Sequence, residues 1–413
     1  MRRAVGIYDL AINGGGGAEK RSAVIAERLA RKHDVWLIVG ESCSVQQLQG
    51  YFGVDLTQVK VLQLRMPLDR KLRRLLQTEN GPRFGRAATD AMIYNLRRDL
   101  DRTYFSQIRS LGLDLFINNQ GGSNLRCPAP CGIYMCMFPH PLRSYRLQHH
   151  DGNLLYRAYS YLFHSVFGLS SRALDSYQVI TANSRFTAEW TRKLWSRDPI
   201  VVYSACEDMG PPGPKENLIL HTGRFVAEHR GDYKHQHTLL ETFRGMPDLA
   251  RQGWELHFAG TVLADAASKV AVERLEKAAS GLPVHIHRSI GIEALRQLYR
   301  KASIYWHATG YGSLAASHPG WQEHFGITTV EAMSAGAVPV VIDSGGQRET
   351  VDHEVNGFRW NDLTELQNYT RRIAGDLNLR KALSKHAVQA SAPFGRSAFA
   401  DRVEQIVDSL LSA

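Results

Sequence analysis

The sequence predicts two α/β domains, each built on an open, doubly wound parallel sheet. Three observations carry that expectation. Short apolar runs alternate with amphipathic helical stretches along most of the chain. The composition, 44% hydrophobic and 22% charged over 413 residues, is that of a globular protein with length for two or three domains. One Pro/Gly cluster near the middle, Glu207-Asp208-Met209-Gly210-Pro211-Pro212-Gly213-Pro214, interrupts the alternation and reads as an interdomain linker. The same composition excludes a disordered, collagenous or coiled-coil chain.

The elements follow in order. Ala4–Tyr8 is a β-prone run that Asn13-Gly14-Gly15-Gly16-Gly17 breaks. From Ala18 to Lys32, the residues Ala23, Ile25, Ala26, Leu29 and Ala30 recur at helical spacing, and Val35–Val39 is an apolar run of parallel-sheet type. Similar runs stand at Leu113–Ile117, Gly132–Met137 and Val179–Thr181. Beyond the linker, Leu218–His221, Glu255–Ala259, Val284–His287, Ile304–His307 and Val338–Ile342 form a second series. The expected division is residues 1–206, a linker over 207–216, a second domain over 217–392, and a C-terminal helix over 393–413 that crosses back to the first domain. Two such domains joined by a short linker form a cleft, where ligands usually bind.

Charge is unevenly placed. Residues 1–206 hold 28 Lys and Arg against 16 Asp and Glu, whereas the remainder holds 22 against 24. That bias suggests an acidic partner for the first half, whether phospholipid, phosphate-bearing lipid or nucleic acid. Five cysteines (Cys43, Cys127, Cys131, Cys136, Cys206) are too few and too scattered for a secreted disulfide framework. No apolar run approaches the ~18 residues of a membrane span, and MRRAVGIYDL does not read as a signal peptide. The expected location is cytoplasmic.

The densest chemical signal is Glu323-His324-Phe325-Gly326-Ile327-Thr328-Thr329-Val330-Glu331. Two carboxylates stand eight positions apart, an E-x7-E spacing, around an aromatic-Gly turn. The helical pattern begins near Thr328, so Glu323 lies in the preceding loop and Glu331 about one turn inside. Such a junction offers free N–H groups and the positive end of a helix dipole to a phosphate. The flanking carboxylates accept hydrogen bonds from vicinal hydroxyls, as sugars and ribose present them. Acidic first-turn residues at an ordinary helix start give the same spacing, so the surrounding motifs decide. Downstream stand Gly336-Ala337-Val338-Pro339-Val340-Val341, Ser344-Gly345-Gly346-Gln347-Arg348-Glu349 and Asn356-Gly357-Phe358; upstream, Gly223-Arg224 follows a strand, with Lys234 ten residues beyond Arg224.

In this combination the chain resembles the retaining glycosyltransferases of family 4, which have the two-domain GT-B fold. The resemblance is strong from Asn217 to Trp360 and looser before it. The His-Phe-Gly variant is similar to mannosyltransferases that extend lipid-linked oligosaccharides. The resemblance implies two Rossmann-like domains facing across a cleft, acceptor-binding at the N-terminal side and nucleotide-sugar-binding at the C-terminal side. It implies that Arg224 and Lys234 clamp the donor diphosphate beside Gly223. Glu331 would hold the ribose hydroxyls, and Glu323 the hexose hydroxyls with the backbone of Phe325, Gly326 and Ile327 and the helix start at Thr328. The segment from Arg288 to Ile290 would line the base.

Two N-terminal features belong to the same pattern. Gly14–Gly17 with Ala18-Glu19-Lys20 resembles the family's Gly-Gly-x-Glu loop, so Gly16 and Gly17 would face the donor phosphates. A dinucleotide fingerprint ending at Glu41 competes with this reading, but Lys20 stands where its third glycine belongs. A plain tight turn also remains open. His140, in Phe138-Pro139-His140-Pro141 at the end of an apolar run, matches a cleft-facing histidine that contacts the transferred sugar or orients the acceptor. Asn183-Ser184-Arg185-Phe186-Thr187 resembles a segment that shapes the cleft wall.

Other features carry less. Asp99-Leu100-Asp101 is formally a D-x-D metal motif, but it sits in a charged helical run and reads as a solvated face. The cysteines lack a zinc-ligand pattern, and no metal site is expected. Leu68–Leu76 is a basic amphipathic segment, either a packed surface helix or a peripheral contact with an anionic membrane. Tyr311–Gln322, with Gly312, Ser313, Ser317 and Gly320, is long and reads as a lid over the sugar.

The expected reaction moves a hexose, of mannose or glucose type, from a nucleoside-diphosphate sugar to a hydroxyl on a glycan, a lipid-linked acceptor or a natural product. Anomeric configuration is retained, with neither metal nor cofactor. GDP-mannose is favoured and UDP-sugars stand next; no motif supports a nucleic-acid partner. Sugar-nucleotide epimerisation, or an inactive binding protein on the same fold, is the alternative.

Overall fold

The computed structural model describes residues 2–14, 16–40, 42–65, 103–140, 142, 169–226, 234–262 and 266–412. They divide into two compact units: Met1–Asn183, Thr187–Val202 and Ala400–Ala413 in the first, Ser184–Phe186 and Tyr203–Phe399 in the second. Glu41, the segment Leu68–Leu76 and the pair Asp99 and Asp101 lie outside the described residues. Among the described residues no helix is long and apolar enough to cross a membrane.

The strands of the first unit are β1 (Ala4–Tyr8), β2 (Asp34–Val39), β3 (Lys60–Gln63), β4 (Leu115–Asn118), β5 (Cys131–Cys136), β6 (Val179–Ala182) and β7 (Ile200–Val201). They pair in parallel in the order β3-β2-β1-β4-β5-β6-β7. Those of the second are β8 (Glu216–Thr222), β9 (Glu255–Gly260), β10 (Val284–Arg288), β11 (Ala302–His307), β12 (Val338–Ile342) and β13 (Phe358–Trp360). They too are parallel, in the order β10-β9-β8-β11-β12-β13. Helices cover both faces of such sheets, which is why β4, β11 and β12 are buried along their whole length and read as unbroken apolar runs. The expected doubly wound α/β architecture is present in both units.

Three strands escaped the sequence reading. β3, β7 and β13 are each the last strand at a sheet edge, two to four residues long. Edge strands are half covered, so they need no apolar run to announce them. The Asn356-Gly357 pair that precedes β13 is structural. Asn356 accepts the Asp352 N–H at 2.9 Å, and a Cβ on Gly357 would stand 2.5 Å from the Pro339 carbonyl oxygen.

The division between units falls at Val202/Tyr203, ahead of the Pro/Gly cluster. The first part of that cluster packs into the second unit, because Met209 is buried and its N–H donates to Ser334 Oγ at 3.2 Å. Pro211, Pro212 and Pro214 are the exposed part. The last helix, Arg396–Ser412, begins in the second unit, where Arg396 pairs with Glu207 at 2.8 Å. From Ala400 onward it belongs to the first unit, where Arg28 and Lys32 each reach Glu404 at 2.8 Å.

The core of the second unit is aromatic: Trp254, Phe258, Trp306, Phe358 and Trp360 are all buried, and the Trp306 Nε1–H donates to Thr370 Oγ1 at 3.0 Å. Above this core β8 and β9 end against each other. The Gly223 N–H donates to the Ala259 carbonyl, and a Cβ on Gly260 would lie 1.9 Å from the Gly223 oxygen. Backbone cannot swing aside as a side chain does. Gly260→Ala should therefore lower stability by about 1–3 kcal/mol, read as a lower urea midpoint with an unchanged slope.

Candidate functional site

In an open parallel sheet the chain leaves two neighbouring strands in opposite directions at the point where strand order reverses, and a crevice opens outside their C-terminal ends. In the second unit those strands are β8 and β11. β8 delivers Gly223 and Arg224 to this end. A Cβ on Gly223 would come 3.0 Å from Lys234 Cγ, so the missing side chain is what lets the lysine stem cross the backbone here. β11 delivers His307, which is fully buried.

These groups converge on Glu323. Lys234 Nζ lies 3.0 Å and His307 Nε2 3.1 Å from the same Glu323 oxygen, and Lys234 also reaches Thr309 Oγ1 at 3.3 Å. Burial by itself would raise the Glu323 carboxyl, but the Lys234 ammonium and the His307 hydrogen bond outweigh it and hold the group well below the usual carboxylate range. His307 is pushed the other way: burial lowers it, and Glu323 offsets this only in part. The cluster thus favours a carboxylate on Glu323, ion-paired with Lys234, and a neutral imidazole on His307. Behind it His221 donates from Nδ1 to the Trp306 carbonyl at 3.0 Å, and burial pushes its ring down to about 3.

The chain around Glu323 is fixed by glycines. A Cβ on Gly345 would stand 2.2 Å from the Glu323 oxygen, and one on Gly346 would stand 2.4 Å from that of His324; the Gly346 N–H donates to Glu323 O at 2.8 Å. This explains the Gly-Gly pair of the sequence: it cradles the carboxylate's own backbone. Gly326 adopts a left-handed φ of 98° and turns the chain into the helix Ile327–Ser334. Thr328 Oγ1 at that helix start accepts the Tyr305 hydroxyl at 2.7 Å. Glu331 is buried in the helix, with its carboxylate accepting the Glu207 N–H at 3.3 Å. The Phe325 ring is buried against Tyr203 and Phe394, leaving its backbone as the group available at the turn.

Arg224 is exposed. Arg288 is also exposed, and its Nε donates to Glu276 at 2.6 Å, so an ion pair on the unit's own surface engages it. Ile290 is partly buried against the Tyr299–Tyr305 group. Tyr311–Gln322, expected as a lid, is tied down at both ends: the Tyr311 ring packs on Trp360, and buried Gln322 donates to Ser313 Oγ at 2.8 Å and accepts from Ser344.

The first unit repeats the topology, with its switch between β1 and β4. Gly16 precedes the helix Gly17–Ala30, and its N–H donates to the Glu19 carboxylate at 2.9 Å. Below this turn lies a buried polar network absent from the sequence expectations. Asp9 accepts the Ser22 hydroxyl at 2.6 Å, Asn119 donates to Ser22 Oγ at 2.7 Å, and Arg21 donates to Asn119 Oδ1 at 2.7 Å. Burial raises Asp9, eased by the Ser22 bond, and lowers Arg21 to about 10. His140 is exposed and lies over Gly122, where a Cβ would come 3.0 Å from its ring; its carbonyl accepts the Trp195 Nε1–H at 2.7 Å.

Of the expected residues the structure joins Lys234 to Glu323 and sets Glu331 in the adjoining helix; sequence reasoning did not name His307, Thr309, His221 or the Asp9–Arg21–Ser22–Asn119 group. His307 was within reach, since it ends an apolar strand. Asp9 and Asn119 each follow the last residue of a strand at a switch point, a position that only strand order identifies.

Comparison with known proteins agrees with the geometry. Residues 210–390 match the model of the family described as Glycosyl transferases group 1. Over 274 residues the chain is 26% identical to the GDP-Man:Man(3)GlcNAc(2)-PP-Dol alpha-1,2-mannosyltransferase of Dictyostelium discoideum, covering 61% of this chain and 51% of that protein. The Neurospora crassa protein of the same name is 28% identical over 234 residues, 49% of this chain and 38% of its own. The chain thus spans about half the length, or less, of these curated relatives. Among solved structures, Anabaena HepE in complex with UDP and glucose superposes with a TM-score of 0.65 at 16% identity, covering 99% of this chain and 100% of that one. Sucrose-phosphate synthase from Thermosynechococcus elongatus gives 0.67 at 15% identity with full coverage of both. The fold is that of the GT-B glycosyltransferases.

The buried neutral histidines make stability depend on pH. A ring whose folded pKa lies below its unfolded value of about 6.5 contributes stability above that value and loses it as pH falls. His221→Asn keeps a donor for the Trp306 carbonyl and removes the titration. Between pH 7 and 5 the variant should lose about 2 kcal/mol less than the native protein, measured as urea midpoints across that range.

Proposed function

We propose that this chain, whose residues 210–390 match the model of the group 1 glycosyl transferases, is a hexosyltransferase. It moves a hexose from a nucleoside-diphosphate sugar to a hydroxyl of a glycan or lipid-linked acceptor. The observation that carries this reading is the Lys234–Glu323–His307 cluster beside a helix start at the switch point, within the matched segment.

A departing diphosphate gains charge as the glycosidic bond breaks, so catalysis needs positive groups already in place. Lys234 supplies an ammonium, Arg224 an exposed guanidinium, and the first N–H groups of Ile327–Ser334 the positive end of a helix. This fixed charge does what a divalent cation does elsewhere, and the transfer proceeds without metal or cofactor. Glu323, kept ionised by its partners, accepts hydrogen bonds from the hexose hydroxyls, and Glu331 accepts them from the ribose. Gly223, Arg288, Ile290 and the backbone of Phe325, Gly326 and Ile327 complete the donor site. In the first unit, Gly16 and Gly17 serve phosphate binding, and His140 serves the transferred sugar or the acceptor.

The donor is GDP-mannose, as the names of the curated relatives suggest. The reaction retains configuration. The acceptor oxygen attacks on the leaving-group face, its proton passes to a phosphate oxygen, and the anomeric carbon's bond to the diphosphate breaks. A lipid-linked acceptor and the basic first half suit a cytoplasmic protein held peripherally at an anionic membrane.

Calorimetric titration with GDP, UDP and ADP, without metal, tests the donor site. GDP should bind at micromolar strength and Glu331→Ala should lose at least tenfold. A folded protein that binds none of the three overturns the assignment. With GDP-mannose and a lipid-linked oligosaccharide acceptor, Arg224→Ala should lower kcat on the order of 100-fold, as loss of one transition-state donor does.

A further inference from the structure

At the far side of the second unit's sheet, strands β9 and β10 carry a cluster that the donor site does not use. Glu255 and His257 stand two residues apart on β9, and His285 and His287 two apart on β10. His285 is directly opposite His257 in the parallel register, so the period of two puts all four on one face. Glu255 Oε2 lies 3.1 Å from His257 Nε2 and 3.3 Å from His285 Nε2, and the three ligating atoms fall within 4.8 Å of one another.

The two separations from Glu255 are what coordination requires. Metal–nitrogen and metal–oxygen bonds of about 2.0–2.2 Å at tetrahedral angles set neighbouring donor atoms about 3.3 Å apart. The third histidine fits the supporting shell: His287 Nε2 is 3.1 Å from His257 Nδ1, the ring nitrogen that would not bind the ion. His257 is nearly buried, whereas His285 is half exposed and leaves the site open to solvent.

We propose that Glu255, His257 and His285 bind a divalent transition-metal cation of the zinc, nickel or copper kind, with His287 orienting His257 and the fourth coordination position left to water. Two imidazoles and one carboxylate suit these ions and disfavour magnesium and calcium, which prefer all-oxygen shells. Glu255 and His285 sit at the start of their strands, away from the C-terminal ends at Gly260 and Arg288 where the switch-point crevice lies. The role is structural: the ion cross-links edge strand β10 to β9.

The test titrates the metal-stripped full chain with Zn2+, with Mg2+ as control. One Zn2+ per chain should bind at micromolar strength or tighter and raise the Tm on the order of 5 °C, and Mg2+ should do neither. His285→Ala and Glu255→Gln, at partly exposed positions, should fold normally and weaken binding at least tenfold; His287→Ala should cost about tenfold. Co2+ bound to the native protein should show tetrahedral d–d absorption that His285→Ala loses. Glu331→Ala should bind Zn2+ as the native protein does, which separates this site from the donor site. Native stoichiometry and affinity in His285→Ala, or a folded native protein that takes up no Zn2+ at about 100 μM, overturns the proposal.

Discussion

Much of the second unit is arranged around keeping one carboxylate charged where water is scarce. An unpaired Glu323 at this depth would protonate, because desolvation costs an isolated ion several kcal/mol. Lys234 and His307 prevent that, and each depends on other parts of the fold. Lys234 reaches the carboxylate only because Gly223 has no side chain, and Gly223 sits where it does because Gly260 lets β9 approach. His307 is aimed by β11, whose neighbour β8 supplies His221 to the Trp306 carbonyl. The backbone of Glu323 is gripped by Gly345 and Gly346. The scattered glycines of the sequence are thus one device, close backbone approach around a single acid.

The first unit meets a similar problem with different chemistry. At its own switch point Asp9 and Arg21 are both buried, but hydroxyl and amide groups of Ser22 and Asn119 stand among them and share the hydrogen bonds. Here burial dominates, and both ionisable groups shift toward their neutral forms. In the second unit a direct ion pair dominates, and the acid shifts toward its charged form. A charged, partly accessible cluster can exchange a partner for a phosphate or a hydroxyl. A buried network whose acid and base both shift toward neutrality mainly holds a turn in place, and this one lies under the loop that starts at Gly16.

The two ends of the second sheet carry different tasks. Its C-terminal ends gather Gly223, Lys234, His307 and Glu323, while the N-terminal half of its outer pair gathers Glu255, His257 and His285. Residues at alternate positions of neighbouring parallel strands fall on one face. That periodicity stacks imidazoles on one face where β9 meets the less covered edge strand β10.

The sequence by itself determined the architecture and the acid–base alphabet of the site. Apolar runs of three to six residues between helical stretches announce parallel strands because burial on both faces leaves no polar alternation to confuse them. Gly223, Lys234, Glu323 and Gly345-Gly346 stand out in the sequence because close approach and charge restrict such positions to few residue types, and the structure brings them together. Tertiary structure decided the rest. It selected His307 and Thr309 as the partners of Glu323, engaged Arg288 with Glu276, and buried the Phe325 ring against Phe394. It also joined Asp9 to Asn119 across 110 positions and His257 to His287 across 30. Such pairings follow from strand order and register, which arise from packing whole elements together, and no local run of residues encodes them.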